Sequence, residues 1–321
     1  MKILVLGAGA IGGYFGGRLV QAGGDVAFLV RKRRAQQLSE NGLVVRSPHG
    51  DFTVPVRCVL QSQLGAPVDL VVLTCKAYDL EAAIEAIGPA VGASTCIVPL
   101  LNGVAHVERL IAAFGAARLA GGSCAIPTLT EQGEVVQLGT FHSIVFGRLP
   151  GTSADMQPKL EALRALYAKT PVPVELTNDM TTALWEKFVG LATLAAMTCL
   201  MRAPIGAILD SDDGPALIAE AFDACRRTAE AAGSPPRAAA LEKFRTMLTD
   251  RTSTLTASML RDLESGGRTE GAHIVGDMLR RAEAAGVDPG PLRAAWCHLQ
   301  AAERIRARKA AQAPAEGGSG P

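Results

Sequence analysis

The first half of the chain alternates short apolar runs with segments whose apolar residues recur every three or four positions. Short β-branched runs bounded by turn residues predict buried strands, and the longer period predicts amphipathic helices. Strands are expected at residues 2–6, 25–30, 69–74 and 95–99, and helices at 11–21, 33–41, 80–87 and 104–114. This alternation favours an α/β fold with a doubly wound parallel sheet of the Rossmann type.

Several segments depart from the simple alternation. Residues 43–46 and 52–59 predict a hairpin-like excursion. Further strands are expected at 117–126, 134–138, 143–146 and 172–175, and Ser153 can cap a helix that runs to about residue 169. We therefore assign residues 1–177 to an N-terminal dinucleotide-binding domain.

The pattern changes after Asn178, where few strand signals remain. Asn178 or Asp179 can cap a long helix to about residue 201, and Pro204 ends it. Later helices are expected at 215–232, 236–249, 253–264, 268–285 and 290–311. Residues 178–311 are thus predicted to form an all-helical domain, and the low-complexity residues 312–321 a disordered tail.

Length, charge and composition narrow the function class. A chain of 321 residues fits two domains, and its near-neutral net charge of +1 argues against a nucleic-acid partner. No run reaches 18 uncharged apolar residues, so we expect no membrane span, and the apolar N-terminal run is too short for a signal peptide. We expect a cytoplasmic enzyme; apolar helix faces would allow a homodimer, but core packing explains them equally well.

Cysteine and histidine spacing gives no sign of a metal centre. The seven cysteines are scattered without a CxxC pair, as is typical of reduced thiols, and the five histidines show no HExxH spacing. We expect no metal, although residues distant in sequence could still assemble a site.

The N-terminus carries a glycine motif in the context that dinucleotide binding requires. The motif GxGxxG follows the first strand and opens the first helix; its residues are Gly7, Ala8, Gly9, Ala10, Ile11 and Gly12. Its first glycine permits a tight turn, the second lets the backbone approach a pyrophosphate, and the third lets helix and strand pack closely. The helix N-terminus then offers N–H groups to the phosphates. A glycine-rich turn without a ligand is the alternative.

The end of the second strand distinguishes NAD from NADP. NAD enzymes tend to place a carboxylate there for the ribose 2′-hydroxyl, whereas this strand ends in four consecutive cations beginning at Arg31. A planar guanidinium suits a phosphate, so Arg31 is the preferred partner of the NADP 2′-phosphate. A solvated basic helix start remains the alternative for any single one of these residues.

Several separated motifs together resemble the ketopantoate reductase (2-dehydropantoate 2-reductase) family, from about residue 1 to 300. The motifs are GAGAIGGYFGGRL at 7–19, TCKA at 74–77, LNGV at 101–104, LWEKF at 184–188, SMLRD at 258–262 and RTE at 268–270. The resemblance implies NADPH-dependent reduction of a 2-oxo acid, in that family ketopantoate to pantoate in pantothenate biosynthesis.

The residues in these motifs have consistent chemistry. Lys76 and Asn102 both follow predicted parallel strands, which places them at the ligand-binding edge of the sheet, within reach of cofactor ribose or substrate. The resemblance implies that Lys187 is the catalytic acid, since a half-buried lysine can donate a proton to the developing alkoxide. It implies further that Glu270 binds the substrate hydroxyl or orients Lys187, and that Ser258 donates to the substrate carboxylate.

One departure from the family pattern concerns the substrate. The family's lysine helix usually carries asparagines four and eight residues after the lysine, and these positions are here Leu191 and Ala195, with Thr198 the nearest polar residue on that face. Losing groups that bind a polar substrate relaxes or shifts specificity. A more apolar 2-oxo acid is therefore an alternative substrate. A β-hydroxyacid or polyol-phosphate dehydrogenase, and a non-catalytic NADP sensor, are further alternatives.

Overall fold

The computed structural model describes residues 1–312 as two compact units, Met1–Leu184 and a second that begins at Trp185. The predicted disordered tail at 312–321 lies outside the described residues except for its first residue, which ends the last helix. The division falls slightly after the predicted boundary at residue 177, so the first unit includes the first turn of the long helix that continues into the second.

The first unit contains strands and helices in the alternation that the sequence predicts. Its strands are β1 (Lys2–Leu6), β2 (Asp25–Leu29), β3 (Leu43–Arg46), β4 (Phe52–Val54), β5 (Arg57–Val59), β6 (Leu70–Leu73), β7 (Cys96–Pro99), β8 (Ala120–Ala125), β9 (Thr128–Glu131), β10 (Glu134–Gln137), β11 (Ser143–Arg148) and β12 (Val174–Thr177). Its helices are α1 (Ala10–Gln21), α2 (Lys32–Asn41), α3 (Leu80–Ile87), α4 (Ala105–Phe114) and α5 (Gln157–Tyr167).

Five parallel strands form the central sheet in the order β5-β2-β1-β6-β7, which confirms the predicted doubly wound fold. The chain leaves β1 toward β2 and β5 and later returns to β6 on the other side of β1. The ends of the strands are in register, because Leu6 pairs with both Leu29 and Leu73, and Leu73 pairs with Pro99. Ligands of open α/β sheets bind at such a reversal, beyond the carboxyl ends of the strands.

The predicted excursion at 52–59 was wrong in its second half. Strands β3 and β4 do form an antiparallel hairpin, but β5 pairs with β2 and becomes an edge of the central sheet. Pro55 lies between β4 and β5 and cannot donate a ladder hydrogen bond, which separates the two strands.

Strand β9 was not predicted at all. It forms a hairpin with β10 across Gln132 and Gly133, which both have positive φ as a two-residue type I′ turn requires. Strand β10 also pairs with β3, giving a sheet in the order β4-β3-β10-β9. A third sheet has the order β12-β11-β8 and meets the central sheet through a bridge between Ile97 and Leu119.

Aromatic side chains of α1 anchor the core of the first unit. Phe15 packs edge-to-face against Tyr14 and Tyr167, and Phe28 and Phe146 are also completely buried. Burying an aromatic ring of this size contributes about 1.5–3 kcal/mol. These contacts hold the helix that follows the glycine motif rigidly on the sheet.

The described part of the second unit is helical, as predicted. Its helices are α6 (Met180–Met201), which begins in the first unit, α7 (Ile205–Leu209), α8 (Gly214–Ala231), α9 (Ala238–Leu248), α10 (Ser258–Glu264), α11 (Val275–Ala284) and α12 (Leu292–Gln312). Helix α6 is long and apolar enough to cross a membrane, but 78% of its most apolar window is buried within the protein. Such burial is that of a core helix.

Two predicted helices begin later than expected. The helix predicted from residue 253 starts only at Ser258, since the backbone carbonyls of Ser253 and Leu255 accept hydrogen bonds from the first turn of α7. The helix predicted from residue 268 starts only at Val275. The segment 268–274, which contains Glu270, is therefore not helical.

Candidate functional site

The glycine motif forms a tight turn between β1 and α1, as the sequence predicts. Gly7 has a φ of +92° and donates its N–H to the carbonyl of Leu29. A side chain on Gly12 would overlap the carbonyl oxygen of Gly7 and Oγ1 of Thr74, which in turn donates to Leu6. The close approach of α1 to the sheet therefore depends on glycine at position 12.

The turn has the features that a pyrophosphate needs. Gly9 is exposed, and a Cβ built on it would meet no protein atom within 4 Å. It also caps α1 without any side-chain hydrogen bond to the first turn. Ala8 is buried, whereas Ala10 and Ile11 begin the helix half-buried. These residues fit a dinucleotide, because the open space and the N–H groups lie together at the reversal between β1 and β6.

The four cations after β2 have different environments. Arg34 is half-buried, and its guanidinium donates to the carbonyls of Ala8 (2.8 and 3.1 Å) and Gly133 (2.7 Å). Burial lowers the pKa of Arg34. Arg31, Lys32 and Arg33 are exposed at the start of α2. Arg34 is thus part of the glycine turn's support, and its three neighbours are the ones that present charge to solvent.

Lys76 and Asn102 occupy equivalent positions on neighbouring strands. Lys76 lies three residues beyond Leu73 at the end of β6, and Asn102 three residues beyond Pro99 at the end of β7. Gly9 likewise lies three residues beyond Leu6, the end of β1, which pairs with Leu73. Lys76 is exposed and Asn102 is half-buried, before a Gly103 with a φ of +78°. The structure therefore brings these two side chains to the same edge of the sheet as the glycine turn.

Lys187 lies on α6 in the second unit and is half-buried. Buried Trp185 and Phe188 flank it and pack against each other with ring centroids 5.8 Å apart. The adjacent Glu186 carboxylate is buried and accepts three hydrogen bonds from Arg237, two of them from the guanidinium at 2.7 Å. This pair fixes the beginning of α9 against the lysine helix.

The helix face beyond Lys187 is apolar. Leu191 is half-buried and Ala195 is completely buried. Thr198, completely buried, donates to the carbonyl of Leu194 and accepts a hydrogen bond from the N–H of Ala257. Its hydroxyl therefore bonds to neighbouring backbone. Positions 191, 195 and 198 on this face carry no amide side chain.

The remaining predicted residues lie on two other elements of the second unit. Ser258 is exposed in the first turn of α10, which Ala257 ties to α6 at Thr198. Thr198 is eleven residues after Lys187, or about 16 Å along the helix axis. Glu270 is 5% exposed in the non-helical segment before α11, and its carbonyl accepts from the next turn.

Sequence reasoning missed residues that support the site rather than form it. Nothing in a run of four cations distinguishes Arg34, whose partners Ala8 and Gly133 are distant in sequence. The same holds for the pairing of Glu186 with Arg237. Within residues 1–312, no three His, Cys, Asp or Glu side chains come together in a way that could hold a metal ion.

Comparison with known proteins identifies both halves of the chain. Residues 3–151 match the sequence model of "Ketopantoate reductase PanE/ApbA", and residues 179–302 match that of "Ketopantoate reductase PanE/ApbA C terminal". An uncharacterized oxidoreductase of Bacillus subtilis, YkpB, is 35% identical over 94% of this chain and 98% of its own length.

Solved structures share the fold. The 2-dehydropantoate 2-reductase from Geobacter metallireducens is 30% identical, with a TM-score of 0.84 over 94% of this chain and 100% of its own. A D-mandelate dehydrogenase solved with NADH and anilino(oxo)acetate has the same TM-score over 96% of this chain and 100% of its own, at 20% identity. The fold, the glycine turn and the two family matches agree: the chain is an oxidoreductase that belongs to the ketopantoate reductase family.

Proposed function

We propose that the protein uses NADPH to reduce a 2-oxo acid to a 2-hydroxy acid, and that 2-dehydropantoate is its substrate. The observation that carries the proposal is the open glycine turn at the reversal of the sheet, in a chain whose second unit presents a half-buried lysine and a buried glutamate. Family membership supports the reaction class, and the resemblance of motifs supports the roles of individual residues.

The cofactor preference rests on charge at the end of β2. Members of this family use NAD(P)H. The exposed Arg31, Lys32 and Arg33 offer cations to a 2′-phosphate, and residues 30–39, which follow β2, include no carboxylate that would repel it. Arg31→Ala should therefore weaken NADPH binding about tenfold or more and leave NADH binding unchanged.

Arg57→Ala is the matched control for that experiment. Arg57 is another exposed arginine, on the strand beside β2, where it pairs with Asp25. Its loss should leave the Kd values of both cofactors unchanged. Equal weakening of NADPH and NADH binding in Arg31→Ala would contradict the proposed contact with the 2′-phosphate.

Proton donation and the binding of substrate and cofactor are assigned to residues of the chain. Bound NADPH supplies the hydride. We assign Lys187 to donate a proton to the carbonyl oxygen as its negative charge develops. Glu270 holds the substrate hydroxyl or orients Lys187, and Ser258 donates to the substrate carboxylate. Lys76 and Asn102, at the strand ends, bind cofactor ribose or substrate.

A second candidate substrate is a 2-oxo acid with a more apolar side chain. Leu191 and Ala195 follow Lys187 on one face of α6, and neither can hydrogen-bond a hydroxyl. An apolar face favours an apolar side chain, because a substrate hydroxyl buried there would lack a partner.

Oxidation of NADPH, followed by its absorbance, tests both candidates with 2-dehydropantoate and a panel of apolar 2-oxo acids. Efficient turnover of 2-dehydropantoate alone supports that substrate, and faster turnover of an apolar acid supports the second. Lys187→Ala should abolish turnover and leave NADPH binding intact, whereas Lys309→Ala, at the exposed end of α12, should change neither. No turnover of any acid with NADPH still bound would favour a non-catalytic sensor.

A further inference from the structure

The segment 268–274 carries a buried carboxylate on a backbone without regular structure. Because Glu270 is not in a helix, its position depends on contacts that hold this segment to other elements. One of these comes from α12. We propose that Glu303 is a positioning residue for the reaction and that it acts by clamping the backbone of Thr269, next to Glu270. The inference rests on the proposed role of Glu270.

Glu303 bonds directly to the backbone beside Glu270. Its Oε1 accepts the N–H of Thr269 at 2.9 Å, with the Thr269 hydroxyl at 3.5 Å. The same hydroxyl accepts the N–H of Gly271 at 3.4 Å. Glu303 therefore restrains the backbone N–H groups of both neighbours of Glu270, that of Thr269 directly and that of Gly271 through the Thr269 hydroxyl.

The second carboxylate oxygen of Glu303 is also held. Arg306, one turn later on α12, donates its Nε to Oε2 at 2.9 Å. Burial raises the pKa of Glu303, but the Thr269 N–H, Arg306 and the charge of Arg268 together bring it below its usual range. The clamp is therefore a carboxylate near neutral pH, and a charge-assisted hydrogen bond is about twice as strong as a neutral one.

Other hydrogen bonds hold the C-terminal end of the segment 268–274 but do not involve Thr269. The carbonyl of Glu270 accepts from the N–H groups of His273 and Ile274, and the carbonyl of Gly271 accepts from Gly276. These bonds fix the exit into α11. Without Glu303 the N–H of Thr269 would lose its carboxylate partner, and a displacement of about 1 Å can cost about 100-fold in rate when it moves a reacting group.

A double-mutant cycle separates positioning from general stability. Glu303→Ala should lower kcat/KM about 10- to 100-fold, and Glu303→Gln, which keeps an oxygen for the Thr269 N–H, should lose less. The Kd for NADPH should not change. In a Glu270→Gln background, Glu303→Ala should cost almost nothing further, because its effect passes through Glu270.

Glu283→Ala is the matched control. Glu283 also joins α11 to α12, through an exposed ion pair with Arg293 at 2.8 Å, and this ion pair does not involve the segment 268–274. This variant should retain wild-type kcat/KM. An equal loss from Glu303→Ala in wild-type and Glu270→Gln backgrounds would overturn the inference, since a purely structural residue costs the same in both.

Amide hydrogen exchange gives a test that does not need turnover. Glu303→Ala should speed exchange at residues 269–271 by about tenfold or more, while α6 stays protected. Unchanged exchange there would refute the clamp even in an inactive protein. A wild-type protein that reduces no 2-oxo acid, with the clamp present by exchange, would refute the proposed function instead. If Glu303→Ala does not fold, Glu303→Gln and Arg306→Ala give the same comparisons.

Discussion

Alanine at Gly9 and alanine at Gly12 should separate cofactor binding from folding. A methyl group at Gly12 would overlap the Gly7 carbonyl and Thr74 Oγ1, and Thr74 cannot move without losing its 2.6 Å hydrogen bond to Leu6. Overpacking against a backbone carbonyl that cannot rotate away costs about 2–3 kcal/mol, the upper part of the usual range, and the better helix propensity of alanine offsets about 1 kcal/mol. A net loss of about 1–2 kcal/mol should lower Tm by about 2–8 °C.

Gly9→Ala should have the opposite profile. The backbone of Gly9, with φ −84° and ψ −158°, suits alanine, and its Cβ would meet no protein atom within 4 Å. Stability should therefore be unchanged. The methyl group would instead occupy the space expected for the pyrophosphate, so the Kd for NADPH should rise about tenfold or more, which is about 1.4 kcal/mol.

Thermal unfolding and fluorescence titration with NADPH measure both variants side by side. Normal NADPH binding by Gly9→Ala would refute the placement of the pyrophosphate at this turn. A wild-type Tm for Gly12→Ala would show that α1 can move away from the sheet, against the packing argument.

Two further predictions concern stability. Burial lowers the pKa of His142, and nearby positive charge adds to the effect, so the unfolded chain takes up a proton at a higher pH than the folded protein. The free energy of unfolding should therefore fall as the pH drops below about 6.5. Urea unfolding at several pH values measures this profile, and His142→Gln should flatten that part of it. Gly190→Ala should lower Tm by about 2–6 °C, because the methyl group would overlap the Phe244 ring where α6 meets α9. Gly88→Ala is the control: its methyl group would meet no atom within 4 Å, so its Tm should not fall. A pH profile that His142→Gln leaves unchanged, or equal Tm values for the two glycine variants, would contradict these expectations.

The sequence predicted the parts of the fold that depend on local pattern. Strands β1, β2, β6 and β7 of the central sheet and helix α1 were predicted within a residue or two, because their periodicity and glycine placement depend on neighbouring positions. The Rossmann-type fold and the helical second half are confirmed. The residue roles assigned to Lys187, Glu270, Ser258, Lys76 and Asn102 stay predictions.

Long-range contacts explain what the sequence could not reveal. Residues 268–274 have a helix-compatible composition, yet the N–H of Thr269 bonds to Glu303, 34 residues later, and the helix begins only at Val275. Similarly, Arg57–Val59 joins β2 because of a strand partner that no local pattern identifies. Strand β9 was also missed, because its turn has Gln132 with positive φ before Gly133, whereas the usual signals for a two-residue turn are Asn-Gly and Asp-Gly.

The hydrogen bonds of Arg34 limit which cations can be replaced when the cofactor preference is redesigned. Its guanidinium joins the Ala8 carbonyl, inside the glycine turn, to the Gly133 carbonyl in the β9–β10 turn. An engineer who seeks an NADH-dependent variant would naturally replace the whole basic run with acidic or neutral residues. Doing so at Arg34 would loosen the turn that both cofactors share, so a useful library would vary Arg31, Lys32 and Arg33 and keep the fourth cation fixed.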